Sequence, residues 1–508
     1  MGDTFHDTAP AVTAPSTTAP AKKQMILNAF VMNTPGHQAA GLWNHPSNRT
    51  DEYNSLSFWT DIAKLLDDNG FHAMFIADTL GAYDVYRGPG NFVPVLASGA
   101  QFPVSDPLVL VPALAAVTKR LIFGVTASLT YEPPYALARR LSTVDHYTNG
   151  RLAWNIVTSY LDSAARNHGL DEQIPHAERY ARAHEYLDVL YKLWEGSFRE
   201  DAIVADRKTG QYIADDAVQA IHHSGKYFRV PGPHFVAPSP QRTPFLFQAG
   251  TSSAGNDFGG KHGEAIFVTA HTPELLRKST DAFRAVAKAH GRHPDHIKII
   301  AGVHLIVGVD DEDAVRKEAE FKQYASTEGA LALFGGWTGV DMSKYDDDQD
   351  FRLADDNPRI QSLIARWSTT IPGTDNKPWT KRAIVEFLTV GGLGAKIFGG
   401  PVKVADELER WFEIGGVDGF NLAHVTSPGS FEDIVAYLLP ELRRRGRFRE
   451  AGSGREGATA REVFLGDDES TSPVSPARLP PDHPGSKYTW HAGQPPPKFE
   501  TNNAQVIV

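Results

Sequence analysis

Residues 150–159 read GRLAWNIVTS, and the fold turns on this stretch. Leu152, Ala153, Trp154, Ile156 and Val157 make a run that is apolar on both sides of an extended chain, because successive strand side chains point to opposite faces. A strand buried on both faces belongs to a parallel sheet covered by helices, whereas an antiparallel sheet usually leaves one face wet and alternates. Yet this strand contains Asn155 and ends in Thr158 and Ser159. Polar groups in so apolar a strand call for a partner.

The same kind of run recurs along the chain. MILNAFV (25–31), AMFIAD (73–78) and LIFGVTAS (121–128) precede it; PFLFQAGTS (244–252), EAIFVTA (264–270), IKIIAGVHLIVG (297–308) and GFNLAHV (419–425) follow. Between them lie amphipathic stretches at helical spacing, such as Phe58, Ile62, Leu65 and Leu66, or Leu187, Val189, Leu190 and Leu193. STDAFRAVAKAHG (279–291) and FEDIVAYLLPELRRRG (431–446) close with basic residues and a glycine, as helix ends often do. Eight strands alternating with helices predict an α/β protein built as a (β/α)₈ TIM barrel. The rival, an open doubly wound sheet, carries a glycine fingerprint after its first strand. Here that strand runs into MNTPGHQAAGLWNHP (32–46), which has none.

The domain expected is therefore a barrel over residues 24–451, with insertions at about 196–243 and 326–400, where the connections exceed ordinary loop length. Residues 1–23 lack the apolar core of a secretory signal and are expected to be a disordered tail. Residues 452–508 carry eight prolines and little apolar periodicity, and are expected to be disordered or an arm packed on a neighbour. A net charge of −11 argues against nucleic acid or anionic membranes as partners and favours a small-molecule ligand. No window has the apolar length of a membrane span. The chain has no cysteine, so it needs no oxidising compartment, which is compatible with the cytoplasm.

Barrels of this type place their chemistry at the C-terminal ends of the strands. Those ends carry Asn28, Asp78 and Thr79, Thr126 and Ser128, Asn155, Thr158 and Ser159, Thr251 and Ser252, then Asn421 and His424. A ligand could supply their hydrogen-bond partners; the plainer alternative is that strands become polar as they enter loops. His176 and Tyr180, four apart at the start of a helix, share a face and could hold a phosphate at the helix N-terminus, or cap and pack it. AGTSSAG (249–255) is either a phosphate-binding turn or a flexible loop. GGLGAKIFGGP (391–401) fits neither the dinucleotide fingerprint nor the Walker pattern, and its final Gly-Gly-Pro is read as the start of a helix. A metal site is not expected, for no H-E-x-x-H occurs and the first strand carries no H-x-H.

Residues 124–169, GVTASLTYEPPYALARRLSTVDHYTNGRLAWNIVTSYLDSAARNHG, followed by PHAERYARAHEYLDVLYKLWEGS (175–197), resemble the bacterial-luciferase-like flavin monooxygenases. Within these the chain is similar to the nitrilotriacetate monooxygenase component A group, from about residue 24 to 447. GHQAAGLW (36–43), YDVYRG (83–88), SPQRTP (239–244), GGWTG (335–339) and KVADELERW (403–411) extend the match. The resemblance implies a luciferase-like barrel with inserted segments, and reduced FMN delivered by a separate NAD(P)H-dependent flavin reductase. It further implies O₂ as co-substrate and a homo-oligomer, dimer or tetramer. The implied activity is oxygenation of a small organosulfur compound. A dialkyl sulfide such as dimethyl sulfide is favoured, with C–S cleavage. A sulfone or an aminocarboxylate as substrate, or a non-catalytic flavin-binding relative, are the alternatives. Matched motif by motif, Asp78, Thr126 and Asn155 fall where similar enzymes meet the flavin, and His176, Tyr180 and Ser252 where they meet its phosphate. In the first-strand loop His37 is the candidate proton donor or substrate orienter, with Trp43 beside it; loop packing is the alternative for both. Arg49 and Arg87 are the only basic candidates near that loop, which disfavours an aminocarboxylate. A cysteine found near the flavin in some relatives has no counterpart, so a thiol role is ruled out.

Overall fold

The computed structural model describes residues 22–250, 252–353, 358–371, 374, 377–466 and 475–499. Eight parallel strands close into a barrel in chain order. They are β1 (Ile26–Met32), β2 (Ala73–Ala77), β3 (Ile122–Ser128), β4 (Leu152–Val157), β5 (Phe245–Gln248), β6 (Ala265–Val268), β7 (Lys298–Val307) and β8 (Gly419–Ala423). Closure is made by β8, which pairs with β1 at Asn421–Asn28 and with β7 at Leu422–Val303. All eight runs read as strands are barrel strands.

Seven helices follow strands on the outside: α1 (Leu56–Asp68), α2 (Pro107–Ala116), α3 (Pro134–Tyr147), α4 (His176–Gly196), α5 (Ser253–His262), α6 (Pro273–Ala289) and α7 (Pro401–Gly415). The eighth covering element is a helical run over residues 429–444. In α1 the spacing of Phe58, Ile62 and Leu66 puts all three in the core. Gly400 caps α7 and Pro401 stands at its first position, where a missing N–H costs nothing. In the last run a π-helical turn, Ile434–Leu438, precedes Pro440, which lacks the N–H that would continue the ladder.

The two faces of each strand separate two cores. Val125, Trp154 and Ile156 look out to the helices. Phe30, Phe75, Phe247 and Phe267 look inward and meet edge to face, with ring centroids 5.2–5.6 Å apart in the pairs Phe30–Phe75, Phe30–Phe267 and Phe75–Phe247. This aromatic layer fills the barrel and forms the floor of whatever lies above it.

Three features differ from or add to the expectations. Residues 395–399, placed by the sequence in the glycine-rich end of the second insertion, form a further strand, Ala395–Gly399, paired with Val303–Val307 of β7. The reason is geometric: β7 has ten residues and β6 only four, so the upper edge of β7 would otherwise be bare. The segment 197–244 holds two small hairpins, and that between β7 and Ala395–Gly399 holds helices around a separate apolar cluster that includes Phe334, Trp367 and Trp379.

The chain from Gly452, expected to be disordered or laid on a neighbour, packs instead on its own barrel over 452–466 and 475–499. A short helix, Ala460–Leu465, begins with a capping box between Thr459 and Glu462. Its Phe464 stacks on Phe245 at 4.8 Å and closes the N-terminal end of the barrel. Its Arg461 makes a buried ion pair with Glu264 at 2.6 Å. Farther on, Trp490 N–H donates to the carbonyl of Glu195 in α4 at 3.1 Å. Isolated aromatic and charged anchors hold this segment, and they leave no periodic trace in a proline-rich sequence. Residues 1–21, 467–474 and 500–508 of the expected tails lie outside the described residues. Among the described residues no helix is long and apolar enough to cross a membrane.

Candidate active site

Three cavities open at the C-terminal ends of the strands. One, of about 570 Å³, is lined by Asp78, Thr126, His176, Tyr180 and Ser252 together with Arg179. Five of the seven residues expected to form the site thus share one wall, although they come from β2, β3, α4 and α5. A second cavity, about 500 Å³, lies over the barrel mouth on Phe30, Phe267 and Ala423. It shares Tyr160, Ala249 and Trp337 with the first. The third, of about 660 Å³, adjoins the first through Asp78, Thr79 and Thr126.

At one end of the first cavity α4 and α5 bring their N-termini together. His176 and Tyr180 lie on one face of α4, with rings 5.0 Å apart. Ser252 caps α5: its Oγ accepts from the Gly255 N–H at 3.1 Å and lies 3.3 Å from His176 Nε2. Gly250 is required here, since a Cβ at that position would stand 2.5 Å from the Tyr180 hydroxyl and 2.4 Å from Gln248 Nε2. Arg179 adds a guanidinium whose Nε is buried without a partner among the described residues. Helix N-termini, hydroxyls, an imidazole and a guanidinium converging around a glycine make an anion cradle. Arg179 was not anticipated from the sequence. The signal was present, for it is three residues after His176 on the same helix face.

At the other end stands Asp78, just beyond β2. Burial, and then the charge of Asp106, push its carboxyl up to about 7, so it can hold or release a proton near neutral pH. Thr126, from β3, faces the cavity, and its Oγ1 accepts from Asn155 Nδ2 at 2.8 Å. Asn155 is therefore behind the wall and not in it, with Oδ1 buried and unpaired among the described residues. Thr158 and Ser159 both line the cavity, and Ser159 Oγ lies 2.7 Å from Ser128 Oγ. The polar end of GRLAWNIVTS is thus cavity wall, supported from below by one inward-facing amide. Asn28 and Asn421 pair across β1 and β8 inside the barrel, Asn28 Nδ2 donating to Asn421 Oδ1 at 2.9 Å. Thr251 lies outside the described residues.

His37 is not brought together with the others. It lies buried within the β1–α1 loop, edge-on to Phe30 at 4.6 Å and 5.7 Å from His424, and lines none of the three cavities. Burial, followed by His424 and His304, lowers its pKa well below the usual histidine value, so the ring is neutral. Trp43 packs near Gly99 at the protein surface. Arg49 is paired with Glu52, and Arg87 with Glu328; neither lines a cavity. Two residues of the barrel-mouth cavity escaped the sequence reading as site residues: Trp337, noticed only as part of GGWTG, and His304, a lone polar side chain inside β7.

Residues 30–418 match the family described as luciferase-like monooxygenase. The chain is 46% identical over 460 residues to the dimethyl-sulfide monooxygenase of Hyphomicrobium sulfonivorans, covering 90% of this chain and 94% of that one. It is 44% identical to the long-chain alkane monooxygenase of Geobacillus thermodenitrificans strain NG80-2, over 92% and 98% of the two chains. The crystal structure of DmoA from Hyphomicrobium sulfonivorans superposes with a TM-score of 0.84 at 44% identity, covering 92% of this chain and 96% of that one.

Proposed function

The chain belongs to the luciferase-like monooxygenase family, whose members are flavin-dependent enzymes, and from that membership and its adjoining cavities we propose a two-component monooxygenase. Reduced FMN comes from a separate NAD(P)H-dependent flavin reductase, and O₂ is the co-substrate. The substrate is a small, largely apolar and uncharged organosulfur compound, a dialkyl sulfide such as dimethyl sulfide or its oxygenated form, the sulfone. The carrying observation is a contrast of linings. One cavity ends in the anion cradle of His176, Arg179, Tyr180 and Ser252, whereas its neighbour has no charged lining residue among those described. A phosphate-bearing cofactor suits the first, and an uncharged substrate the second. An aminocarboxylate would enter the second without a cation to meet it.

The residues of the first cavity fit FMN in chemistry and in room, with Gly250 letting the Tyr180 hydroxyl come close to the start of α5. When bound, reduced FMN supplies the electrons that activate O₂. His176, Arg179 and Ser252 hold the phosphate, with the Tyr180 hydroxyl donating to it. Thr126, oriented by Asn155, and Asp78 meet the ring end; a carboxyl that titrates near 7 can donate to a ring carbonyl or accept from a ring N–H. The aromatic floor and Trp337 keep water from the reacting centre. His37 acts by holding Phe30, which forms part of that floor, and so orients substrate indirectly. With a sulfide, one oxygen atom enters a C–H bond beside sulfur and the other leaves as water. The resulting hemithioacetal breaks into a thiol and an aldehyde. Dimers or tetramers are the expected assemblies.

Oxygen uptake by the protein with a flavin reductase, NADH and FMN, over a panel of sulfides, sulfones and amines, tests the activity. Uptake coupled to substrate is expected for sulfides or sulfones and not for amines; no reduced-FMN-dependent turnover of any organosulfur compound would refute it. His176→Ala and Tyr180→Phe should each weaken FMN binding about tenfold while leaving riboflavin affinity unchanged, since riboflavin lacks the phosphate. Equal losses for both flavins would remove the phosphate assignment.

A further inference from the structure

His304 is the fourth residue from the C-terminal end of β7, opposite Ala423 of β8 and Lys396 of the flanking strand. It faces inward and lines the cavity over the barrel mouth. It is 4% exposed, and neither Nδ1 nor Nε2 has a hydrogen-bond partner among the described residues. Polar groups so deeply buried are nearly always paired, so an imidazole with both nitrogens free faces something that arrives later. The surroundings are built to hold it there. Gly391, at φ 104°, and Gly394 pass so close that a Cβ on them would lie 2.9 Å from its Cγ and 3.0 Å from its Nδ1.

Its neighbours do not account for it. His37 and His424 are near, but Nδ1 of each is likewise buried without a partner, and among the described residues no His, Cys, Asp or Glu group is placed to share a metal ion. The nearest ammonium, Lys396, donates to the Phe387 carbonyl and does not line this cavity. Burial, then Lys396 and His424, lower the His304 pKa to about 3, so the ring is neutral near neutral pH. A neutral imidazole offers one donor and one acceptor and no charge. The other polar liners, Gln38, Thr269 and the Tyr160 hydroxyl, are uncharged too.

We propose that His304 is the specificity residue of this cavity, donating a hydrogen bond to the heteroatom of the organosulfur substrate and favouring sulfur that carries oxygen over the bare sulfide. This rests on reading the cavity as the substrate site. A thioether sulfur accepts weakly, whereas a sulfoxide or sulfone oxygen accepts well, so the bare sulfide leaves the imidazole nearly unpaired. A site built to hydrogen-bond its ligand discriminates against the isostere that lacks the bonding atom. Anionic head groups find no cation in the cavity and are rejected.

The test is calorimetric titration of the FMN-loaded protein with diethyl sulfide and with diethyl sulfone, in wild type, His304→Leu and His304→Asn. The ratio of sulfide Kd to sulfone Kd should be about tenfold larger in wild type than in His304→Leu, and His304→Asn, which keeps a donor and an acceptor, should retain most of it. Gly394→Ala, which displaces the ring tip without removing it, should also shrink the ratio and covers the case in which His304→Leu fails to fold. An unchanged ratio in variants that keep wild-type FMN affinity overturns the role of His304 and leaves the monooxygenase reading intact. Failure of both ligands to bind wild type overturns the role of His304 as well. If reduced-FMN-dependent oxygen uptake is absent too, the monooxygenase reading falls with it.

Discussion

Asp78 carries a consequence for stability that is independent of any ligand. Its carboxyl titrates ordinarily near 3.8 and in the folded protein near 7. Between those values the unfolded chain is ionised while the folded chain retains a proton, so this residue lowers stability progressively as pH rises from about 4 to 7. Asp78→Asn removes the penalty. The variant should melt at a higher temperature than wild type at pH 8, with the difference narrowing toward pH 4, as read by calorimetry; equal melting temperatures at pH 8 would contradict the burial of this group. That Asp78 faces the cavity was legible from its place at a strand end. Its environment was not, because Asp106, whose charge adds to the shift, is 28 positions away and meets it only through the fold. The same holds for His304, whose companions Gly391 and Gly394 lie almost ninety residues on.

At the scale of elements, the helix Ala460–Leu465 tests what closes the barrel. Phe464 lies among Phe245 and Phe247 inside the N-terminal end, and is 3% exposed. Phe464→Ala should cost about 3–5 kcal/mol in chemical denaturation, the usual range for emptying a buried phenylalanine site. Arg461→Leu should cost a similar ~3–5 kcal/mol, since it leaves Glu264 buried and unpaired, and the double change with Glu264→Leu should restore much of the loss. A double variant no more stable than Arg461→Leu would show that the pair's hydrogen bonds to Thr243 and Ala477, and not its charge balance, hold the segment. Helices and barrel strands were legible because burial on one stripe or two faces imposes a period on the sequence. The strand Ala395–Gly399 was not, because its role is to cover an edge, a demand set by the length of β7 and not by its own composition.

Across the molecule, a set of deeply placed histidines is held neutral by burial. His184, His234 and His424 titrate near 4, and His304 and His483 near 3, each lowered first of all by desolvation. In the unfolded chain they take up protons below about 6.5; in the folded protein they do not. Stability should therefore be fully present above pH 6.5 and fall as the pH drops from there toward 4, well before most carboxylates titrate. Melting temperatures measured from pH 8 to pH 5 should begin to decline near 6.5. A plateau extending down to pH 5 would mean that these rings take up protons in the native state.

By itself the sequence determined the α/β class, the eight strands and their closure, since apolar runs that alternate with amphipathic ones have few ways to bury both faces. It also marked His176, Tyr180 and Ser252, which the fold brings to one cavity, because strand ends and first helix turns have fixed places in a barrel. Only the tertiary structure decided that Asn155 lies behind Thr126 and bonds to it, that His37 lies behind Phe30, that a proline-rich segment seals its own barrel, and that His304 faces an uncharged cavity unpaired. Each of these depends on which distant residues share a neighbourhood, and contact across hundreds of positions is set by packing in three dimensions, which no local pattern records.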